Sequence, residues 1–591
     1  MNPFLSVATL TGQLRRNGYD ARILDLNVEF FNDIFTKEYL QQATDKAKSF
    51  INGYEPIGLT REEIFSADYK TATNEARYIL INEFFEKHAD RIQKVLDGIE
   101  NAVRVMRDET DFYDPEKLFA AKDILEEAAK IASLPTLPCE LTIDNYYPNP
   151  LFPLDYKYVK SQCFDKNDNL FIEYFEKKLE TLDLSQYDYI GISIPDISQL
   201  IAGLTLGRLL KEKTSAHISI GGGYISKIAE EFRKYPEMFE IFFDTAELLD
   251  GEKNCLQMAE YISGKRKISD VNSLVYSDGN GVIFTELSEK LQMDSIVPPD
   301  FTGIDFSRYF SPSVVMPLQI SKGCYWGKCT FCDFYTGQQC FDIKSVETVI
   351  NEIEEMINKY SVTSFLFVDE AVPPVYYKRL AEKILEKNLK INFYSFVRLE
   401  KGFTKEVLQL LHKAGATLFM WGYESASKRV MEMINKGVDL DDRLSVMKAS
   451  ADSGIWNHVT FLLGYPTETI EEMKMTEDII ENRSDIVDSL SPSSFAMKRC
   501  AAIANGKPEE FGITDYRLRG EFHVSYEIKT VGVQMQELKN HKLKFQNDYI
   551  YAKRHNLWNI TFSDSDHLLL YIIRHGKDFV KNYRLKYERW M

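Results

Sequence analysis

The stretch Cys324-Tyr325-Trp326-Gly327-Lys328-Cys329-Thr330-Phe331-Cys332 places three thiols within nine residues, directly after an apolar run, Val314 to Ile320, that reads as a strand. Three thiolates on one tight loop can hold three corners of an iron–sulfur cube and leave the fourth iron open to a ligand that is not protein. Other readings of the loop compete. A structural zinc site wants four ligands, and no second C-x2-C or His pair lies nearby. A plant-type [2Fe–2S] centre shares the C-x4-C-x2-C spacing but needs a fourth Cys; Cys340 is close and Cys500 far. Composition speaks against a disulfide framework, since eight cysteines in 591 residues are sparse. The loop alone leaves the choice open.

Downstream, hydrophobic periodicity predicts further strands at Ser364–Asp369, Ile391–Arg398, Thr417–Tyr423, His458–Leu463 and Ser491–Met497. Helices are expected between them at Ser345–Lys359, Tyr376–Lys387, Thr404–Ala414, Ser427–Asn435 and Leu440–Ser453. Such β/α repeats fit a full or partial parallel barrel, whose reactive face collects residues at the strands' carboxyl ends. Those ends carry the Cys loop, Asp369-Glu370, Arg398, Gly422-Tyr423-Glu424-Ser425 and Gly464-Tyr465-Pro466-Thr467-Glu468-Thr469. Each has a structural reading: Ser425, Thr467 or Glu468 as a helix cap, Asp369 as an ion-pair partner. Their convergence with a Cys loop is harder to explain without a polar ligand, because polar groups gathered away from water are costly unless satisfied.

Upstream, a helix is expected at Leu5–Arg16 and a short strand over Asp20–Asn27. From Thr36 to about Ser133 the sequence is helical in period, acidic and almost free of Pro, which reads as a helical insertion; a Pro-punctuated connector follows to Pro153. Strands at Tyr187–Ile194, His217–Gly223 and Phe239–Thr245 then alternate with helices at Ser198–Lys213, Ser226–Lys234 and Lys253–Ser263. That rhythm predicts a doubly wound, Rossmann-like parallel sheet. Ligands bind such sheets at the carboxyl ends of strands, where Asn27, Ser193, Gly221, Gly222 and Gly223 are expected. A tight strand-to-helix turn explains the glycines equally well, and no GxGxxG or P-loop fingerprint is present. Because such a domain usually opens on a central strand, a strand upstream of Met1 is also expected. The α/β class thus divides into a sheet domain at 1–270 with its insertion at about 36–150, a linker at 271–311, a partial barrel of six β/α repeats at 312–500, and a small α+β unit at 501–591 capping the barrel mouth.

Composition bounds the class. A hydrophobic fraction of 44% and a charged fraction of 27% are ordinary for a globular chain with ample core. The net charge of −18 argues against general binding of nucleic acid or anionic membrane. The apolar start, Phe4 to Leu10, is too short to span a membrane and lacks a basic leader, so a cytoplasmic location is expected.

Residues 314 to about 497 resemble a radical S-adenosylmethionine (SAM) enzyme core. The resemblance rests on Gly323 with the Cys loop, Phe367-Val368-Asp369, Gly422-Tyr423-Glu424-Ser425 followed by Lys436-Gly437, and Gly464 to Thr469. The loop departs from the family by one extra residue, the usual spacing being C-x3-C-x2-C. The preceding sheet, with Asp25-Leu26-Asn27, Gly191-Ile192-Ser193 and Gly221–Gly223, resembles the cobalamin-binding domain of one large subgroup. It lacks the D-x-H-x-x-G motif, which implies a cobalt without that axial His.

The resemblance implies a [4Fe–4S] cluster on Cys324, Cys329 and Cys332. It implies SAM held by Asp369, Arg398, Glu424 and Ser425 with Phe331 or Tyr465 against adenine, and cobalamin at Asn27, Ser193 and Gly221–Gly223. The implied activity is a cobalamin-dependent radical SAM C-methyltransferase acting on an unactivated carbon of a peptide or natural product, supplied with electrons by a flavodoxin- or ferredoxin-type donor. Alternatives are a cyclase or rearrangement enzyme with the same cofactors but no methyl transfer, and a non-catalytic corrinoid or electron carrier. Methylthio transfer to tRNA would want a further Cys-bearing domain and a basic RNA module, neither of which is visible. Cys500 falls just after the last expected strand, within reach of the site, although a buried inert thiol is the commoner outcome; Cys139, Cys163 and Cys255 read as structural.

Overall fold

A computed structural model describes residues 3–289, 292–333, 341–531, 535–545, 558 and 564–590; Cys340 lies outside them. The chain opens on the expected helix, Leu5–Arg16. The strand expected over Asp20–Asn27 does not form. Asp25 instead caps a helix, Leu26–Ile34, its carboxylate accepting from the N–H groups of Asn27 and Val28 at 3.2 and 3.1 Å. Val28, Phe31 and Ile34 recur at helical spacing on the buried face of that helix, so the Asp-Leu-Asn run is an N-cap signal rather than a strand exit.

The insertion comprises helices Lys37–Gly53, Arg61–Ser66, Tyr69–Arg107 and Pro115–Ser133, followed by a small antiparallel hairpin, β1 (Glu140–Leu141) with β2 (Tyr146–Tyr147). A buried ion pair, Arg77 with Asp168, ties its longest helix to the chain that follows, and Arg77 Nε also donates to the Leu137 carbonyl at 2.7 Å.

The first large sheet begins with parallel strands β3 (Tyr189–Ser193), β4 (His217–Gly221) and β5 (Thr245–Glu247), with helix Leu200–Lys213 crossing between the first two. The strand expected over Phe239–Thr245 does not form there: Met238–Ile241 is a helical turn, and the strand starts only at Thr245. The stretch read as linker contains two more strands. β6 (Leu274–Ser277) and β7 (Val282–Phe284) add antiparallel to β5, giving the order β3-β4-β5-β6-β7. The turn between them, Asp278-Gly279-Asn280-Gly281 with Gly279 at φ 85°, is a hairpin signal that helical alternation elsewhere obscured.

The second sheet runs β8 (Met316–Leu318), then a short pair, β9 (Ser321–Lys322) with β10 (Asp342–Ile343), around the Cys loop. It continues with β11 (Ser364–Phe367), β12 (Asn392–Arg398), β13 (Ala416–Glu424), β14 (Trp456–Leu463) and β15 (Ser489–Ser494). The six strands β8-β11-β12-β13-β14-β15 are all parallel and form an open half-barrel. Its helices lie where the sequence places them, with one more at Ile470–Asn482, opened by a capping box between Thr469 and Glu472.

Alternation along the strands sends Phe393, Phe419, Trp421 and Phe461 toward the helices, and Tyr394, Met420 and Trp456 toward the concave side. A C-terminal helix, Ser565–His575, fills that concavity at the strands' amino ends. Tyr394 donates to Asp566 at 2.7 Å, and Tyr571 donates to the Phe112 carbonyl of the insertion. Only part of the C-terminal stretch therefore lies at the mouth, around β16 (Ile513–Leu518) and β17 (Tyr526–Thr530). Among the described residues no helix is long and apolar enough to cross a membrane.

Candidate functional site at the barrel mouth

The Cys loop is fixed through Thr330. Its N–H donates to the Ile434 carbonyl at 2.9 Å, and its carbonyl accepts from Ile503 N–H at 2.9 Å. Its hydroxyl bonds the Met433 carbonyl at 2.9 Å and the Tyr465 hydroxyl at 2.7 Å. Three segments distant in sequence thus grip the residue between Cys329 and Phe331. Cys324, Cys329 and Cys332 are in no disulfide and are of intermediate exposure. Burial raises the Cys329 pKa, while nearby Lys436 and Arg398 work the other way, favouring the thiolate a metal cluster needs. No three His, Cys, Asp or Glu side chains among the described residues converge on a single-ion site.

Arg398, at the end of β12, is buried beneath the loop. Its guanidinium bonds Glu400 at 2.8 Å and the Lys436 carbonyl at 2.8 Å, and stands 4.8 Å from the Trp326 ring and 5.7 Å from that of Tyr325. Glu424, at the end of β13, pairs with the buried Lys436 ammonium. The strand slips register between Gly422 and Glu424, and Glu424 takes φ 67°, a left-handed conformation rare for a non-glycine residue. Thr467 does the same at φ 66°. Strain of this kind collects at ligand sites. A side chain on Gly422 would crowd Glu424 and Lys436, so the bare Cα makes room for the pair.

Three residues expected to touch SAM are buried and hydrogen-bonded within the protein. Asp369 is buried and accepts from the N–H of Ile320 at 2.9 Å and from both the N–H and the hydroxyl of Ser321, fixing the point where β8 turns toward the Cys loop. Ser425 is buried in the turn before helix Lys428–Ile434, accepting from Ser427 N–H at 3.1 Å. The Tyr465 hydroxyl is occupied by Thr330, as above. Phe331 is part-exposed against an apolar cluster containing Val430, Leu462 and Met497. Glu468 is buried with one oxygen accepting from Gly464 and Tyr465 N–H at 2.6 and 3.2 Å and the other unpartnered; burial lifts its pKa to about 7.

On the sheet side, Ser193 and Gly221 end adjacent strands in register. Gly222 sits at φ 113°, and a Cβ there would meet the Ile194 carbonyl at 2.6 Å, so the turn itself demands glycine. Gly223 and its surroundings are open. Asn27 is exposed in the first turn of its helix and stands at no strand end, which removes it from the expected set.

Pattern reading also missed residues that join the two sheets. Lys227, on the helix after the glycine turn, pairs at 2.7 Å with Asp333, the residue following Cys332. Glu370, accessible but closely surrounded by protein, makes no hydrogen bond with any described residue; desolvation, with Asp369 and Asp333 adding to it, lifts its pKa to about 7. Cys500 faces the same charges, Lys227 and Asp333, and is part-exposed with its pKa raised by burial. The sequence hint for this junction was the pair of strand-end positions, Glu370 and Cys500.

Residues 318–480 match the Radical SAM superfamily. The chain carries a radical SAM domain. An uncharacterized methyltransferase of Pyrococcus horikoshii is 24% identical over 340 residues, which is 55% of this chain and 72% of that protein. An anaerobic magnesium-protoporphyrin IX monomethyl ester cyclase of Rubrivivax gelatinosus is 23% identical over 38% of this chain and 42% of its own length. Among solved structures, the cobalamin-dependent S-adenosylmethionine radical enzyme OxsB aligns over 69% of this chain and 65% of that one, with a TM-score of 0.51 and 16% identity, a likeness of fold. This chain therefore spans less than half of the cyclase and just under two thirds of OxsB. The radical SAM domain coincides with the half-barrel from β8 to helix Ile470–Asn482, so the Cys loop, Arg398 and the Glu424–Lys436 pair all fall inside it.

Proposed function

We propose that this protein is a cobalamin-dependent radical SAM enzyme that methylates an unactivated carbon of a peptide or natural product. The observation that carries the reading is the direct contact between the two sheets' carboxyl edges, through Lys227 and Asp333, with the Cys loop on one side and the glycine turn on the other. A ligand seated on each edge would face the other across a common space.

The residues fit such ligands. Three part-exposed cysteines outside any disulfide, with Lys436 and Arg398 near Cys329, suit a [4Fe–4S] cluster with one iron left for SAM. Arg398, Glu424 and Lys436 offer charges of both signs for SAM's carboxylate and amino groups, and Phe331 offers a ring face for adenine. Asp369, Ser425 and Tyr465 act by positioning. Ser193, Gly221 and the open surface at Gly223 suit a bulky corrin at the sheet edge. When bound, these groups supply one-electron cleavage of SAM and a transferable methyl; the protein orients them and excludes water and oxygen. A flavodoxin- or ferredoxin-type donor supplies the electron, and the setting is cytoplasmic.

Anaerobic reconstitution with iron, sulfide and hydroxocobalamin tests the reading by visible and EPR spectra, followed by mass analysis of candidate peptides and metabolites. A cluster, a bound corrinoid, SAM cleavage and a product heavier by one CH2 are expected. A product altered without that gain would favour the cyclase reading, which the Rubrivivax relative's name keeps in play. Cluster and corrinoid without SAM cleavage would leave a carrier.

A further inference from the structure

The Cys324–Cys329 spacer is one residue longer than the usual pattern, and the structure gives that length a use. Trp326 leaves the loop and lies on the turn Asn435-Lys436-Gly437. Its indole N–H donates to the Asn435 carbonyl at 2.7 Å. Asn435 and Gly437 both take left-handed conformations, φ 57° and 72°, and a Cβ on Gly437 would collide with the indole ring. Two cations also stand over the ring, Arg398 at 4.8 Å and Lys328 at 5.0 Å from its centre. Arg398 closes the circuit by donating to the Lys436 carbonyl at 2.8 Å. Between its two clamped neighbours, Lys436 turns its ammonium inward onto Glu424.

We propose that Trp326 is a positioning residue, made available by the lengthened spacer, that clamps the 435–437 turn and thereby holds Lys436, Glu424 and Arg398 where they meet the polar end of SAM. Without the indole, the turn loses the ring packed on Gly437 and the donor to the Asn435 carbonyl, Arg398 loses one of its two aromatic partners, and the Lys436–Glu424 pair is free to shift. The thiol loop has further anchors away from the turn, Thr330 being held also by the Tyr465 hydroxyl and the Ile503 N–H, so the clamp acts on SAM binding rather than on cluster retention. The inference rests on the reading of the site as a SAM site.

The test is SAM titration of the reconstituted, reduced protein, followed by the EPR signal of its cluster, with iron content and circular dichroism as controls. Wild-type protein whose signal ignores SAM would overturn the functional reading itself. Given a wild-type response, Trp326→Ala and Gly437→Ala are each expected to keep their iron and weaken SAM binding about tenfold or more, about 1.4 kcal/mol. Trp326→Phe, which refills the slot, should stay within about threefold. The double variant should lose less than the sum of the two single losses, since alanine at 437 no longer strikes the ring although its left-handed φ still costs. Wild-type affinity in Trp326→Ala, loss of the cluster itself in that variant, or additive losses in the double variant would each overturn the clamp.

Discussion

Lys227 and Asp333 stand 2.7 Å apart, one on the helix that follows the glycine turn of the first sheet, the other next to the last cysteine of the loop. Both side chains are about one fifth exposed, at 23% and 19%, so the pair contributes little to stability, within about 1 kcal/mol. Its value is registration of two sheets. Lys227→Met should leave the unfolding midpoint within about 2 °C of wild type while slowing turnover several-fold, and Lys227→Arg should recover most of the rate. An unchanged rate in Lys227→Met would deny the pair that role.

Asp369 offers a sharper contrast between anchoring and ligand contact. Replacing it by Ala strands the buried N–H groups of Ile320 and Ser321 and should cost about 2–4 kcal/mol, read by urea unfolding. Asp369→Asn keeps one acceptor oxygen toward the same donors, so SAM affinity should hold within a few-fold. Loss of SAM binding in a stable Asp369→Asn protein would restore the carboxylate to the ligand shell.

Glu468 predicts a pH dependence. Its folded pKa of about 7 exceeds the ordinary 4.5, so the native state keeps a proton that the unfolded chain loses. Stability from this group is therefore full below about 4.5 and falls as pH rises through about 7. Glu468→Gln removes the proton from the balance and should be the more stable protein at pH 8 by about 1–3 kcal/mol, with no difference near pH 4. Parallel wild-type and variant curves of unfolding midpoint against pH would contradict this.

The thiols divide into two groups. Cys324→Ser, Cys329→Ser and Cys332→Ser should each abolish a stable cluster, measured as iron and sulfide per chain after reconstitution. Cys500→Ser should keep the full complement, because that thiol enters from beyond β15 and lies with Lys227 and Asp333 rather than in the loop. Cluster loss in Cys500→Ser would make it a fourth ligand.

Much of this arrangement was readable from residue order, and the failures have physical causes. The half-barrel was legible because each repeat alternates a short apolar strand with an amphipathic helix. The loop's spacing alone left several metal sites open, and only the charged strand ends downstream narrowed the choice. Asp20–Asn27 misled because a capping aspartate and a strand exit look alike until Phe30 and Phe31 are found packed around a helix. The β6–β7 hairpin was hidden because three- and four-residue strands carry little periodicity. Asp369, Ser425 and Tyr465 sit at the expected strand ends, but a linear motif does not report which way a carboxylate or hydroxyl turns. Trp326 was visible only as one residue too many.

The helix Ser565–His575 carries a consequence for anyone recombining this protein with its relatives. Through Lys122 with Asp564, Asp123 with Arg589 at 2.7 Å, and Glu116 with Tyr583 at 2.7 Å, the tail and the insertion grip each other behind the strands. They are separated by more than four hundred positions along the polymer yet are matched to each other through these contacts. A chimera that swaps either one alone inherits mismatched halves, whereas transplanting both preserves these tail-to-insertion contacts.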